Sequence, residues 1–381
     1  MNFRKEKFRE YISTLCILMI ISCDNTNNTN NTNDFLIENI IVTEPIISFY
    51  TEKHASEGVI FYNGNNQLIN VFRYDKTRYA NHIGNTSNIV ARELFDDDSA
   101  SGLITLVDNS FDARNISISD VEGTILLQYR NYDVNNPKNS SVVYRTLSND
   151  LSLGEENVIY SYPDVLIPST SPGVKVSGNK YLSVFYRNNY IEILNFDKQN
   201  NRFEYVTEID YTFQDEYILV EPVIEYLGDN LVVMLARDNS KNTTSNPLIS
   251  FSYDNGESFN AFERTNLAEG LFCSAPSMKR LENSNIIITI CADRRSVVGL
   301  GQVEDEVLWV YANTVDDFYK GDFKFNLIKK IKRKVSPNNQ RFYGYPSIIS
   351  TKYGALVIYT DNFYDQREVA KLYQFKIRFS L

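Results

Sequence analysis

The chain has 381 residues, 43% of them hydrophobic and 13% aromatic, enough apolar material for a sizeable core. Its 26 Tyr and 23 Phe, set against 10 Pro and 4 Met, favour strands over helices. A formal net charge of −10 argues against a nucleic-acid partner.

The first 34 residues read as a targeting segment. Arg4, Lys5, Lys7 and Arg9 make a basic start, and the apolar stretch 11–22, "YISTLCILMIIS", is too short to span a bilayer comfortably. It runs into Ile20-Ile21-Ser22-Cys23, which resembles a bacterial lipobox. The resemblance implies a signal peptide over 1–22, cleavage before Cys23, and lipidation of its thiol. That predicts a membrane partner through the lipid anchor and a place in the bacterial cell envelope, with the outer membrane as the expected destination. The alternative is an ordinary signal peptide ending near a cysteine. Residues 24–34, "DNTNNTNNTND", have nothing to bury and read as a flexible tether.

From residue 35 onward, six apolar runs of strand type recur: 67–73, 124–130, 181–187, 230–237, 285–294 and 355–361. They start 57, 57, 49, 55 and 70 residues apart, and no long helical periodicity interrupts them. Continuous apolarity suggests strands buried on both faces. Six units of about four strands predict an all-β fold, a six-bladed β-propeller with four-stranded antiparallel blades over 35–381.

A shorter register runs inside the units. Ser171-Pro172, Glu221-Pro222, Ala275-Pro276 and Tyr345-Pro346 open the first strands of four of them, where a missing N–H costs little. Sixteen residues on, the second strand ends at Arg187, Arg237 or Asp361; counting back sixteen from Arg130 and Arg73 gives Arg114 and Glu57. The fifth unit departs, with Cys291 at that offset and Arg294 and Arg295 just beyond. In an antiparallel hairpin the start of one strand lies beside the end of the next, so these positions are predicted to share one face of the ring. Cys273 and Cys291 flank one such hairpin, either as a disulfide or as two buried thiols.

The stretch 252–259, "SYDNGESF", combines Ser252, Asp254, Gly256, Ser258 and Phe259, a turn chemistry by any reading. Weaker echoes stand at 94–101, 148–154 and 195–203. Together with the register, this chain resembles the sialidase (neuraminidase) superfamily, whose Asp-box, or BNR repeat, reads Ser-x-Asp-x-Gly-x-Thr/Ser-Trp/Phe. The resemblance implies that the box residues are structural and lie on the face opposite the site.

It further implies a glycoside hydrolase, exo-alpha-sialidase-like and retaining, with a Tyr nucleophile opening the last blade and an acidic partner at the end of that blade's second strand. Tyr345 and Asp361 occupy those places, with Asp for the usual Glu. Glu221 and Arg237 match the fourth-blade acid and one arginine of a carboxylate-binding triad; Glu221 either serves as the base or pairs Arg237. The first-blade arginine has no counterpart near Glu57, and Arg295 or Arg294 stands nearest to the third. The general acid has no clear match: Asp75 and His82 are the nearest candidates, and His82 reads equally as a polar loop residue.

Arg73, Arg114, Arg130, Arg187, Arg237 and Arg295 are predicted to crowd the site face, where guanidinium forks suit carboxylate or sulfate. Asp112 joins them either as a ligand or as a mutual pair with Arg114. The expected partner is an acidic glycan, as substrate or ligand. Two histidines without clustered carboxylates give no metal site, and no cofactor is expected. A phenol nucleophile suits an anomeric carbon that bears a carboxylate, because a carboxylate nucleophile would be repelled. The alternative is a propeller that binds glycans without catalysis. A scaffold for other surface proteins is the third reading.

Overall fold

Each of the six apolar runs becomes the second strand of its own antiparallel sheet, and the six sheets form the blades of a propeller. The computed structural model describes residues 37–381 apart from 52, 76–85, 109–110, 163–164, 188–189, 211–217, 241–245, 271–272, 283, 294–304, 321–322, 335–340, 364–369 and 380–381. Blades 1 to 6 open with His54–Tyr62, Asp112–Val121, the interrupted pair Ile167–Pro168 and Val174–Lys175, Leu219–Gly228, Cys273–Arg280 and Arg341–Thr351. Among the described residues the only helices are short 3-10 turns.

The core is divided among the blade interfaces. In the second strand of blade 4, Leu231, Val233 and Leu235 pack toward blade 5, while Val232, Met234 and Ala236 pack toward blade 3. All six are fully buried. This is why the runs read as continuously apolar: period-two alternation sends successive side chains to opposite faces, and here both faces are covered. Burial of each such side chain is worth about 1.5–3 kcal/mol relative to exposure, less for Ala.

Ring closure uses both ends of the domain. After the sixth run only about twenty residues remain, and the described ones contribute a single strand, Ala370–Phe379. Ile40–Val42 and Ile46–Thr51 pair antiparallel with that strand and complete the blade from the N-terminal side.

The 252–259 turn joins strands three and four of blade 4. The Ser252 hydroxyl lies 2.7 Å from Asp254 Oδ1 and accepts the Gly256 N–H at 2.8 Å; Asp254 accepts the Ser258 N–H at 2.9 Å. Gly256 has φ +83°, and a Cβ there would lie 2.4 Å from the Leu182 side chain of blade 3, so both the backbone and the space demand glycine. The echo at 148–154 builds a similar turn with Ser152 in the place of Gly256: Ser152 N–H donates to Ser148 Oγ at 2.9 Å and to Asp150 Oδ1 at 3.2 Å. Cys273 and Cys291 are joined as a disulfide, Cα–Cα 5.6 Å, inside the core between blades 4 and 5.

Candidate active site

A two-residue bulge interrupts the first strand of five blades, at residues 57–58, 115–116, 221–222, 275–276 and 345–346. The first residue of each adopts positive φ: Glu57, Asn115, Glu221, Ala275 and Tyr345, between 43° and 56°. A bulge turns the strand and re-aims its side chain. Because five blades share it, this backbone conformation is architecture and does not by itself mark a site.

The bulges correct the constant sixteen-residue offset. In blades 1 and 4 the residue before the bulge faces Arg73 or Arg237, as Ser56↔Arg73 and Val220↔Arg237. In blade 2 Arg114 faces Arg130 directly, and Asn115 takes the bulge. In blade 6 Gly344 faces Thr360, and Asp361 faces Tyr343, not Tyr345. Ser171 lies between the two short pieces that replace a continuous first strand in blade 3, and its carbonyl accepts the Ser117 hydroxyl at 2.8 Å.

Blades 1 and 4 carry matching units. Glu57 Oε2 accepts the Asn115 N–H of the next blade, with Arg73 Nη1 3.7 Å from Oε1. Glu221 Oε2 accepts the Ala275 N–H of the next blade at 3.0 Å and Arg237 Nη1 at 3.0 Å. Among the described residues a phenol joins the second unit and not the first: the Tyr345 hydroxyl reaches across from blade 6 and donates to Glu221 Oε1 at 3.1 Å. Tyr345, Glu221 and Arg237 are each below 9% exposed. The phenol's partner is therefore Glu221; Asp361, also buried, stands one strand position away from the expected one.

Arg73, expected at an open rim, is completely buried. Its Nε donates to Ser87 Oγ at 3.1 Å and its Nη2 to Asp112 Oδ1, while the Ser87 hydroxyl donates to Asp112 Oδ1 at 2.7 Å. Asp112 is likewise fully buried, and Arg114 Nε stands 3.8 Å from its other oxygen. Of the two readings of Asp112, the geometry is that of a structural pair, with Arg73 as its nearer partner. Arg237 Nη2 donates to Asn239 Oδ1 at 2.9 Å, so its fork is also engaged. Arg187 is exposed and lies over the Tyr190 ring at 5.4 Å. His82, Arg294, Arg295 and Cys23 lie outside the described residues.

Sequence reasoning missed Tyr186. It sits one residue before the predicted strand end and is 5% exposed. Burial, then the charges of Glu221 and Tyr345, push its phenol well above the ordinary range, so it is a neutral hydroxyl beside the pair. Nothing distinguishes it among 26 tyrosines until blade 3 is placed between blades 2 and 4.

The 252–259 turn is far along the strands from this cluster. Its Asn255 bonds Asn230, in the turn after the far end of the strand that Glu221 opens.

No family model matches the chain, and no curated protein is similar to it in sequence. Solved structures are similar in fold. A protein of unknown function from Dyadobacter fermentans DSM 18053 superposes with TM-score 0.70 at 14% identity, over 90% of this chain and 100% of that one. NanB sialidase from Streptococcus pneumoniae gives 0.60 at 10%, over 88% and 70%. Trypanosoma rangeli sialidase gives 0.57 at 9%, over 85% of this chain and 55% of its own. The propeller is of the sialidase type.

Proposed function

We propose that the protein is a sialidase-like retaining glycosidase acting on an acidic sugar of a glycan. The observation that carries this reading is the Tyr345–Glu221 hydrogen bond, present at the blade 4 unit and without counterpart at the matching unit of blade 1 among the described residues. A phenol is a weak nucleophile until a base takes its proton, and Glu221 Oε1 stands at that proton. As Tyr345 Oη bonds to the anomeric carbon, its proton passes to Glu221 and the glycosidic bond breaks, its electron pair leaving with the aglycone oxygen. A general acid protonates that oxygen; His82 is the candidate. Water then attacks the same carbon and gives a proton back to the deprotonated general acid, while the Tyr345–carbon bond breaks and the phenol regains its proton from Glu221. Arg237 and the Ala275 N–H hold the carboxylate in place throughout. A Trypanosoma rangeli sialidase structure captured with 2,3-difluorosialic acid is described as a covalent intermediate, which supports a retaining course for this fold.

The test is hydrolysis of a fluorogenic panel of sialosides and uronic-acid glycosides, with NMR of the first-released anomer. Hydrolysis with retained configuration is expected; inverted product would rule out a covalent Tyr345 step. The second reading, a glycan-binding module without catalysis, draws on the repeated Glu–Arg–amide unit at Glu57, which shows that such a unit also serves blade packing. Binding of acidic glycans with no turnover across the panel would select it.

We also propose that the mature chain is anchored through lipid on Cys23, on the strength of the lipobox-like Ile20-Ile21-Ser22-Cys23. Cys23→Ala should leave an unprocessed or soluble protein. Normal processing and membrane recovery of that variant would remove the claim.

A further inference from the structure

We infer that the acidic group of the ligand is received by a two-arginine clamp in blade 2, Arg114 and Arg130 over Tyr132, and not by the arginines of blades 1 and 4. This deepens the proposed function and rests on it for the identity of the ligand, an oxyanion-bearing sugar.

Arg114 and Arg130 are directly opposed cross-strand neighbours. Like charges in that relation repel, and a sheet gains nothing by pairing them unless something negative lies between. Both guanidiniums sit over one ring: Arg130 at 4.5 Å and Arg114 at 5.5 Å from the Tyr132 centroid. Stacking on an aromatic face holds the planar forks while leaving their edges for hydrogen bonds.

Arg130 forms no ion pair with a carboxylate among the described residues, and its buried Nε has no hydrogen-bond partner there. Burial, then the charge of Arg114, pulls its pKa down, against the opposing influence of Tyr132, Tyr186 and Asp112.

The other arginines are committed. If Arg73 turned to a ligand it would take the nearer cation from buried Asp112, and Arg237 would leave Glu221. Removing one partner of a buried pair is costly, whereas Arg130 breaks no ion pair to receive an oxyanion. Placement also suits the reaction. Tyr186 acts electrostatically on Arg130 and is itself acted on by Glu221 and Tyr345, so clamp and phenol share it as a neighbour. The ligand chemistry is a carboxylate or a sulfate ester, since both offer the oxygen pair a guanidinium edge accepts.

The experiment is calorimetric titration of the full chain at low ionic strength with N-acetylneuraminate, glucuronate, glucose 6-sulfate and neutral N-acetylglucosamine. Wild type should bind at least one acidic probe, and which one it prefers separates carboxylate from sulfate. Arg130→Gln should weaken that binding at least tenfold, Arg130→Lys should recover part of it, and neutral sugar should respond equally to all three proteins. Ligand-free Arg130→Gln should melt no lower than wild type, because a repulsion has gone. Binding of the acidic probe by Arg130→Gln within twofold of wild type overturns the clamp, as does the absence of binding to every acidic probe. Titration needs no turnover, so the two proposals fail separately. Clamp-dependent binding without hydrolysis removes the glycosidase, while hydrolysis of acidic glycosides indifferent to Arg130→Gln removes the clamp.

Discussion

Replacing Tyr345 by Phe is expected to lower hydrolysis of acidic glycosides on the order of 10⁴-fold, the scale of losing one member of a nucleophile–base unit. Only a hydroxyl is removed. The ring still fills its place against Ala275, and the positive-φ bulge is as tolerable to Phe as to Tyr. Glu221 loses one donor but keeps Arg237 and the Ala275 N–H, so stability should fall by no more than about 1 kcal/mol. The check is kcat on the best substrate of the panel alongside a thermal melt. Retention of activity within tenfold, in a variant that melts as wild type, would show that the phenol is not the nucleophile. Arg237→Ala should act differently from a simple loss of ligand binding. It frees one side of Glu221 and should lower kcat together with affinity.

A second large effect is expected from Asp112→Ala, as a loss of stability. The substitution takes its nearest carboxylate from the fully buried Arg73, which keeps Glu57 at 3.7 Å, and leaves the Ser87 hydroxyl to the Ala113 carbonyl at 3.0 Å. Breaking a buried pair in this way costs roughly 3–5 kcal/mol. The single tryptophan, Trp309, is buried between blades 4 and 5, well away from Asp112, so its emission reports unfolding beyond the mutated blade. The urea midpoint should fall with an unchanged slope. A shift worth less than about 1 kcal/mol by that slope would mean the pair is no structural lock, and Asp112 would return as a candidate ligand.

The propeller was legible because its cause is local. Strands covered on both faces must be apolar at every position, and six such runs, as in 124–130 and 230–237, announce six blades without reference to any partner. The Ser252–Phe259 turn was legible for the same reason: its hydrogen bonds run mostly within eight residues, and glycine supplies the φ that the turn requires. Glu221 and Arg237 were read correctly as neighbours, 3.0 Å apart as an ion pair although Val220 is the residue facing Arg237, because hairpin length is also local. The same count misplaced Asp361 and Arg114, since the span from bulge to facing residue is one residue shorter in blades 2 and 6.

What the sequence determined by itself is therefore what depends on near neighbours: strand positions, the number of blades, the turn chemistry, and the stretch, though not the residue, at which most blades open. What only the tertiary structure decided is which of those openings meet. Tyr345 and Glu221 are 124 residues apart, Arg73 and Asp112 39, and Ile40–Val42 pairs with a strand at the other end of the chain. A guanidinium at a strand end looks the same in sequence whether it will be neutralised, as Arg73 is by Asp112, or form no ion pair among the described residues, as with Arg130. The difference is made by the charge that the adjoining blade happens to bring within 4 Å, and that distance exists only once the ring has closed.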